Sequence, residues 1–111
     1  MPYRLQIAVD MITAYNAQDA DLYVTYMTDE ACEASYRGAV VREGKEGVRD
    51  GLKKMFAEFP ENRAEIVTGY HLGDYAVLHE KVWRSSASEP FEVMSVYSFE
   101  GNKCSRVEFI R

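Results

Sequence analysis

Two side chains suited to acid–base chemistry, His79 and Glu33, fall in segments whose apolar residues alternate as they do in β-strands. An imidazole changes its charge near neutral pH, so His79 is a candidate general acid or base. In "CEASY", residues 32–36, alternation puts Glu33 and Ser35 on one face of a strand. A carboxylate that faces inward is costly unless it is paired or used. We therefore predict Glu33 and His79 as catalytic residues of one cavity; the alternative is a structural histidine that only satisfies polar core groups.

The strand register around His79 follows from the predicted hairpins. "LGDY" is typical of a tight two-residue turn, which pairs Thr68 with His79. In the next hairpin, placing Trp83 opposite Phe91 sets His79 opposite Ser95. The face that carries His79 is then aromatic and aliphatic around one polar row, as in small-molecule sites. The predicted lining comprises Thr68, Lys81, Trp83, Val93, Ser95, Tyr97 and Val107 from the sheet, Ser35 from the earlier strand, and Tyr15 from the first helix.

The elements that must position these residues are helices first and strands afterwards, the order of an α+β domain. The apolar spacing predicts a helix over residues 3–17, and a short second helix capped by Asp19 or Asp21. "EASYRGAVVRE" is interpreted as two short strands around Gly38, followed by a third helix over 45–59. From Glu61 onward the period changes to that of strands. Four are predicted as an antiparallel meander: "RAEIVTGY", "YAVLHEKVWR", "FEVMSVYSF" and "KCSRVEFIR".

Length and composition restrict the class of protein. The 111 residues fit one domain, 1–111, and the hydrophobic and charged fractions of 47% and 28% are those of a globular protein. A net charge of −5 without a basic stripe argues against nucleic-acid binding. The N-terminal segment is not typical of a signal peptide, and no apolar run reaches membrane-spanning length. The two cysteines suggest neither a disulfide framework nor a metal motif. We therefore expect a cytoplasmic protein with no metal, no cofactor and no membrane association.

Two segments carry a family resemblance. "NAQDADLY" is similar to the helix break, and "YSFEGNKCSRVEF" to the hairpin, of the nuclear transport factor 2-like superfamily, in its SnoaL-like and ketosteroid isomerase-like branch. The resemblance covers nearly the whole chain. It implies a cone-shaped, curved antiparallel sheet wrapped around the N-terminal helices, the cystatin-like α+β barrel, with an internal pocket. Because this fold serves many reactions, the resemblance alone does not define the activity.

The resemblance also tests one specific activity. Ketosteroid isomerase uses a carboxylate base with a tyrosine and a protonated aspartate as oxyanion donors. The resemblance places these three groups at Ser35, Met11 and Ser95, so Met11 is an implied pocket residue. A thioether and neutral hydroxyls do not supply that chemistry near pH 7. Steroid isomerisation is therefore disfavoured.

The functional hypotheses that remain come from different classes. The first is an acid–base enzyme of isomerase, dehydratase or cyclase type that acts on a small apolar or polyketide-like compound. The second is a domain that binds a small apolar ligand without transforming it. The third is a dimeric accessory domain whose cavity is filled by its own side chains.

A homodimer is expected because apolar residues also fall on the predicted outer face of the sheet. The predicted outer stripe consists of Leu78, Val82, Met94, Val96 and Ile110.

Overall fold

The computed structural model describes residues 3–111, which form three helices and one sheet of six strands. The helices are α1 (Tyr3–Asn16), α2 (Ala20–Thr25) and α3 (Gly44–Glu58). The strands are β1 (Met27–Ser35), β2 (Val40–Glu43), β3 (Arg63–Leu72), β4 (Tyr75–Trp83), β5 (Phe91–Glu100) and β6 (Lys103–Ile110). The predicted α+β class is confirmed, and most predicted bounds lie within two residues of the observed ones.

Local signals explain where the helices begin and end. Asp19 caps α2, because its carboxylate accepts a hydrogen bond of 3.0 Å from the backbone N–H of Leu22. The main difference from expectation is β1, which begins at Met27 directly after α2. The segment "MTDEA" forms the first half of this strand, because Met27 and Ala31 are buried in the core.

The strand order in the sheet is β2-β1-β6-β5-β4-β3. The predicted meander of β3 to β6 is antiparallel, as expected. However, β1 pairs with β6 in parallel, so the sheet is mixed rather than wholly antiparallel. The sheet does not close, since β2 and β3 form its two edges. Its inner face packs on the helices, around core residues such as Ala8, Leu52 and Leu78.

The registers of β3, β4 and β5 differ from the predicted ones at two points. The turn after Leu72 is as predicted, and Thr68 does pair with His79. A β-bulge between Ile66 and Thr68 then shifts β3, so that Ile66 pairs with Glu80. In the next hairpin Val82, not Trp83, lies opposite Phe91. Because side chains alternate along a strand, this one-residue error reverses the faces predicted for the whole of β4.

The outer face of the sheet is therefore different from the predicted stripe. Leu78 and Val82 are buried on the inner face, so their assignment to the outer surface is wrong. Met94 is exposed beside Ile110 in the outer row that also contains His79. Within residues 3–111, no helix is long and apolar enough to cross a membrane.

Candidate active site

A cavity of about 700 Å³ lies between the helices and the inner face of the sheet. This volume is within the range of small-molecule sites. Its deep part is formed by buried polar and apolar side chains, and its mouth by exposed residues at the ends of β1 and β6. The apolar lining comprises Ile12, Val41, Leu52, Met55, Val82, Phe91, Val93, Phe109 and Ile110. The polar and aromatic lining comprises Tyr15, Tyr23, Glu33, Ser35, Tyr36, Arg42, Glu80, Arg84, Ser95, Tyr97 and Arg111.

Glu80 is the most unusual of these side chains. It is only 3% exposed, and it faces the cavity from the middle of β4. The Ser95 hydroxyl, on the neighbouring β5, donates a hydrogen bond of 2.8 Å to Glu80 Oε1. Burial raises the pKa of Glu80 from its ordinary 4.5 to about 7, against the smaller opposing effects of Ser95 and His79. A carboxyl with this pKa can give or take a proton at neutral pH.

The second buried carboxyl, Glu33, is held in a different environment. Arg42 Nη1 donates to Glu33 Oε1 at 2.6 Å, and the Tyr23 hydroxyl donates to Oε2 at 3.0 Å. Arg42 lies on β2, which pairs with β1 and sets Arg42 directly opposite Glu33. Both oxygens of this 1%-exposed carboxylate therefore have strong donors. Burial, and next the Glu33 charge, raise the pKa of Tyr23, which keeps its hydroxyl protonated as a donor.

A glycine on α3 makes room for the arginine of this pair. A Cβ atom at Gly51 would lie 2.5 Å from Nε and 2.7 Å from Cδ of Arg42. The Arg42 side chain therefore packs against α3 at Gly51, where the Cβ atom of any other residue would collide with it. Gly47, one turn earlier on the same helix, has no such neighbour within 4 Å. Comparing alanine substitutions at Gly51 and Gly47 therefore separates the effect of packing against Arg42 from the effect of helix propensity.

A chain of hydrogen bonds fixes Tyr15 on the opposite wall. Arg84 Nη1 donates to Asn62 Oδ1 at 2.7 Å, and Asn62 Nδ2 donates to the Tyr15 hydroxyl oxygen at 2.6 Å. Because arginine can only donate, it also fixes the orientation of the buried Asn62 amide. The Tyr15 hydroxyl accepts in this chain, so its own proton is available for a group in the cavity. Successive hydrogen bonds of this kind strengthen the terminal donor.

Tyr97 adds a second phenol to the lining. It is almost fully buried on β5, and burial, with a further contribution from the Glu80 charge, raises its pKa well above the usual range. The hydroxyl therefore stays protonated at neutral pH and can donate a hydrogen bond to a group in the cavity. The cavity thus combines the Glu80 carboxyl with two phenol groups, those of Tyr15 and Tyr97.

Half of the residues predicted from the sequence do line the cavity: Tyr15, Glu33, Ser35, Val93, Ser95 and Tyr97. His79, Lys81 and Trp83 do not, because the register of β4 turns them to the outer face. There His79 Nε2 lies 2.7 Å from Glu92 Oε1, and Trp83 lies beneath the Arg63 guanidinium at 4.0 Å. The expectation that His79 faces Glu33 across the cavity is therefore wrong.

Three further predicted lining residues lie elsewhere. Thr68 is exposed on the outer face, beside His79. Met11 is fully buried in the core, and the cavity begins one turn later on α1, at Ile12 and Tyr15. Val107 is also fully buried. It lies between Glu33 and Tyr97 in one row of the sheet, where the two longer side chains form the cavity wall instead.

Glu80 was missed by the sequence analysis because of the same one-residue error. In "YAVLHEKVW" the apolar residues Ala76, Leu78 and Val82 share a parity with Glu80, whereas His79 shares one with Lys81 and Trp83. The first set is the more uniformly apolar and is the set that is buried. An acidic residue in the middle of that set was the available signal.

These features define a small α+β domain built around an internal, partly polar cavity. Residues 8–107 match the SnoaL-like domain family, and the chain belongs to that family. The predicted family and fold are thereby confirmed. No group of three His, Cys, Asp or Glu side chains suited to a metal ion occurs in the part of the chain described, 3–111.

Solved structures show how widely this fold is shared. An uncharacterized cystatin-fold protein from Novosphingobium aromaticivorans is 59% identical, over 97% of each chain, with a TM-score of 0.92. A proposed polyketide cyclase from Sinorhizobium meliloti is 17% identical over 95% of this chain and 94% of its own, with a TM-score of 0.80. A hypothetical protein with a ketosteroid isomerase-like fold from Catenulispora acidiphila is 16% identical over 95% and 84%, with a TM-score of 0.76. The last two show the fold alone. No protein of curated function matches the chain.

Proposed function

We propose that this protein is an acid–base enzyme of the isomerase, dehydratase or cyclase type, with Glu80 as the catalytic residue. The observation that carries the proposal is a carboxyl 3% exposed in the wall of a cavity of about 700 Å³, with a pKa of about 7. A base is most effective when its pKa lies near the working pH. Perturbed carboxyls in clefts are typical of active sites.

The chemistry follows from the groups that line the cavity. The ionised Glu80 takes a proton from a carbon next to a carbonyl group, and negative charge develops on the carbonyl oxygen. The neutral phenols of Tyr15 and Tyr97 donate hydrogen bonds to that oxygen. The protonated Glu80 then returns its proton to another carbon, or to a departing hydroxyl group. The same proton transfer serves isomerisation and dehydration, and it generates the enolate for ring closure.

Glu33 has a different part in this proposal. Both of its carboxylate oxygens already accept hydrogen bonds within the cavity wall, from Arg42 and Tyr23. We propose that Glu33 supports the wall of the site and keeps Arg42 in place. Among residues 3–111, Glu80 accepts a side-chain hydrogen bond from the Ser95 hydroxyl alone, so it is the freer base.

The base and hydrogen-bond donors proposed for this protein lie at positions different from those that the resemblance to ketosteroid isomerase implied. The resemblance placed the base at Ser35, which lines the mouth of the cavity as a neutral hydroxyl. Here the carboxyl is on β4 and the donors are on α1 and β5. The family, and the description of one similar structure as a proposed polyketide cyclase, agree with carbonyl chemistry in such a cavity.

The test is the exchange of carbon-bound protons in a simple ketone. 2-Tetralone in D₂O is followed by ¹H NMR with wild-type protein, with Glu80→Gln, and with Glu65→Gln as a matched control on the outer face. General acid–base catalysis contributes about 10²- to 10⁴-fold, so Glu80→Gln should lose at least about 100-fold of the catalysed exchange. Glu65→Gln should retain it.

Two results would contradict the enzyme proposal. Catalysed exchange that persists in Glu80→Gln would remove Glu80 from the reaction. Saturable binding of 2-tetralone without faster exchange would instead favour the second hypothesis, a domain that binds ligands without transforming them. The open cavity argues against the third hypothesis, a cavity filled by the protein's own side chains.

We also propose that a second copy of the chain covers the outer face of the sheet. Tyr70, Val77 and Val96 form one apolar row there, and Met94 and Ile110 lie in the next. Tyr70 is 65% exposed in the single chain. A patch of this kind is typical of a protein interface. Sedimentation at micromolar concentration tests the proposal, and a monomer would contradict it.

A further inference from the structure

The cavity has an excess of positive charge although the whole protein has a net charge of −5. Three guanidinium groups line it, from Arg42, Arg84 and Arg111, against the carboxyls of Glu33 and Glu80. The Arg42 charge is neutralised by Glu33 at 2.6 Å. Arg84 and Arg111 have no side-chain carboxylate within 4.0 Å among residues 3–111. Two uncompensated cations therefore border one cavity of an acidic protein.

The two uncompensated arginines share one aromatic residue. The Arg84 guanidinium carbon lies 4.9 Å from the centre of the Phe91 ring, and that of Arg111 lies 4.1 Å from it. Each guanidinium group thus makes a cation–π contact with the same ring of the cavity wall. Arg84 is further fixed by its bond to Asn62, and this bond uses only Nη1. The remaining N–H groups form a fork of the kind that binds carboxylates.

We infer that the ligand of this cavity is a small, largely apolar carboxylate whose anionic group binds to Arg84 and Arg111. The apolar body then lies against Val82, Val93 and Phe109. The assignment of such a ligand as a substrate, with its reacting carbon at Glu80, rests on the proposed function. The binding of the carboxylate does not.

The positions of the charges also restrict how the ligand lies. Arg111 is exposed and Arg84 half-buried, whereas Glu80 is buried in the deep part of the cavity. The carboxylate therefore enters last and stays toward the mouth, away from the negative charge of Glu80. The positive charges of Arg84 and Arg111 attract anionic ligands to the cleft, and this attraction is weaker at high salt because salt screens it.

The experiment compares two ligands of nearly equal shape. 2-Naphthoate and 2-naphthamide are titrated into wild-type protein and followed by calorimetry at 20 mM and 500 mM NaCl. The variants are Arg111→Gln, Arg84→Gln and Arg84→Lys, which keeps the charge but loses the fork. Arg63→Gln is the matched control, since Arg63 also covers an aromatic ring, that of Trp83, but on the outer face.

The inference predicts that 2-naphthoate binds at least about tenfold more tightly than 2-naphthamide at low salt, and that high salt reduces this ratio. Arg111→Gln and Arg84→Gln should each weaken 2-naphthoate by about fivefold or more, with Arg84→Lys between wild type and Arg84→Gln. Arg111→Gln should not change the affinity for 2-naphthamide by more than about twofold. Arg63→Gln should behave as wild type.

Equal affinity for the two ligands would overturn the inference, as would no binding of 2-naphthoate at millimolar concentration. Affinity for 2-naphthoate that is unchanged in both Arg84→Gln and Arg111→Gln would also overturn it. Glu80→Gln separates this result from the proposed function, because it should bind 2-naphthoate as tightly as wild type or more tightly. If that variant also keeps catalysed proton exchange in 2-tetralone, the proposed function fails while the ligand class stands.

Discussion

Replacing Glu80 by glutamine should make the protein more stable at pH 8 and leave its stability nearly unchanged at pH 4.5. In wild type, folding buries the Glu80 carboxyl and raises its pKa from 4.5 to about 7. Below pH 4.5 the group is protonated in both the folded and the unfolded chain. Between these values the unfolded chain loses the proton and the folded chain keeps it, so stability falls as pH rises. Above pH 7 both are ionised and the full penalty applies.

The size of the effect follows from the same two values. A separation between 4.5 and about 7 corresponds to about 3 kcal/mol in the free energy of unfolding. Glutamine carries no charge and retains an oxygen that can accept the Ser95 hydrogen bond. The stability difference between Glu80→Gln and wild type should therefore grow from near zero at pH 4.5 to about 3 kcal/mol at pH 8.

Urea denaturation at half-unit pH intervals measures this difference, with the single tryptophan, Trp83, as fluorescent probe. Subtracting the wild-type curve from the variant curve removes the contribution of titrating groups that do not interact with Glu80. Glu65→Gln, an exposed carboxyl change on β3, should show a small difference that does not depend on pH in this way. A constant difference between Glu80→Gln and wild type from pH 4.5 to 8 would refute the reasoning.

Other predictions concern the Arg42–Glu33 ion pair, the glycines of α3 and the outer face of the sheet. Arg42→Gln should destabilise the protein by about 2 kcal/mol in urea unfolding, because it leaves Glu33 buried without its cation; a loss below about 0.5 kcal/mol would contradict this. Gly47→Ala should stabilise α3 by up to about 1 kcal/mol through helix propensity, whereas Gly51→Ala should destabilise the protein because its Cβ displaces Arg42; equal effects on thermal unfolding would contradict this account. Met94→Glu should convert the proposed dimer to a monomer in sedimentation, and an unchanged dimer would place the interface elsewhere.

The sequence was sufficient for the fold because its signals were redundant. The helical stripes, the Asp19 cap and the Gly73 turn each indicated the same element order that the structure shows. The parallel pairing of β1 with β6 was not predictable in this way, since no local signal marks which distant strands become neighbours.

The site was less predictable because it depends on strand parity. A bulge at Val67 changes the register of β3 by one residue. The hairpin before Phe91 pairs Phe91 with Val82 rather than Trp83, which changes the register of β4 by one residue. The bulge exchanges the two faces of β3 at that point, and the register error at Phe91 exchanges the two faces of β4, which placed His79 inward and Glu80 outward in the prediction. Glu33 was placed on the cavity side together with Ser35, because alternation within one strand needs no hairpin register. Its partner Arg42 was not identified, since the contact depends on Gly51 of a third element.

The most direct test of the account is the titration of the Glu80 carboxyl itself. Protein labelled with ¹³C in the glutamate side chains is titrated by NMR, and the Glu80 resonance is assigned by its absence in Glu80→Gln. We expect the Glu80 carboxyl carbon to titrate with a pKa of about 7, and its resonance to shift when 2-naphthoate fills the cavity. A Glu80 carboxyl that titrates near its ordinary pKa of 4.5 would contradict the assignment of Glu80 as an acid–base group that works at neutral pH.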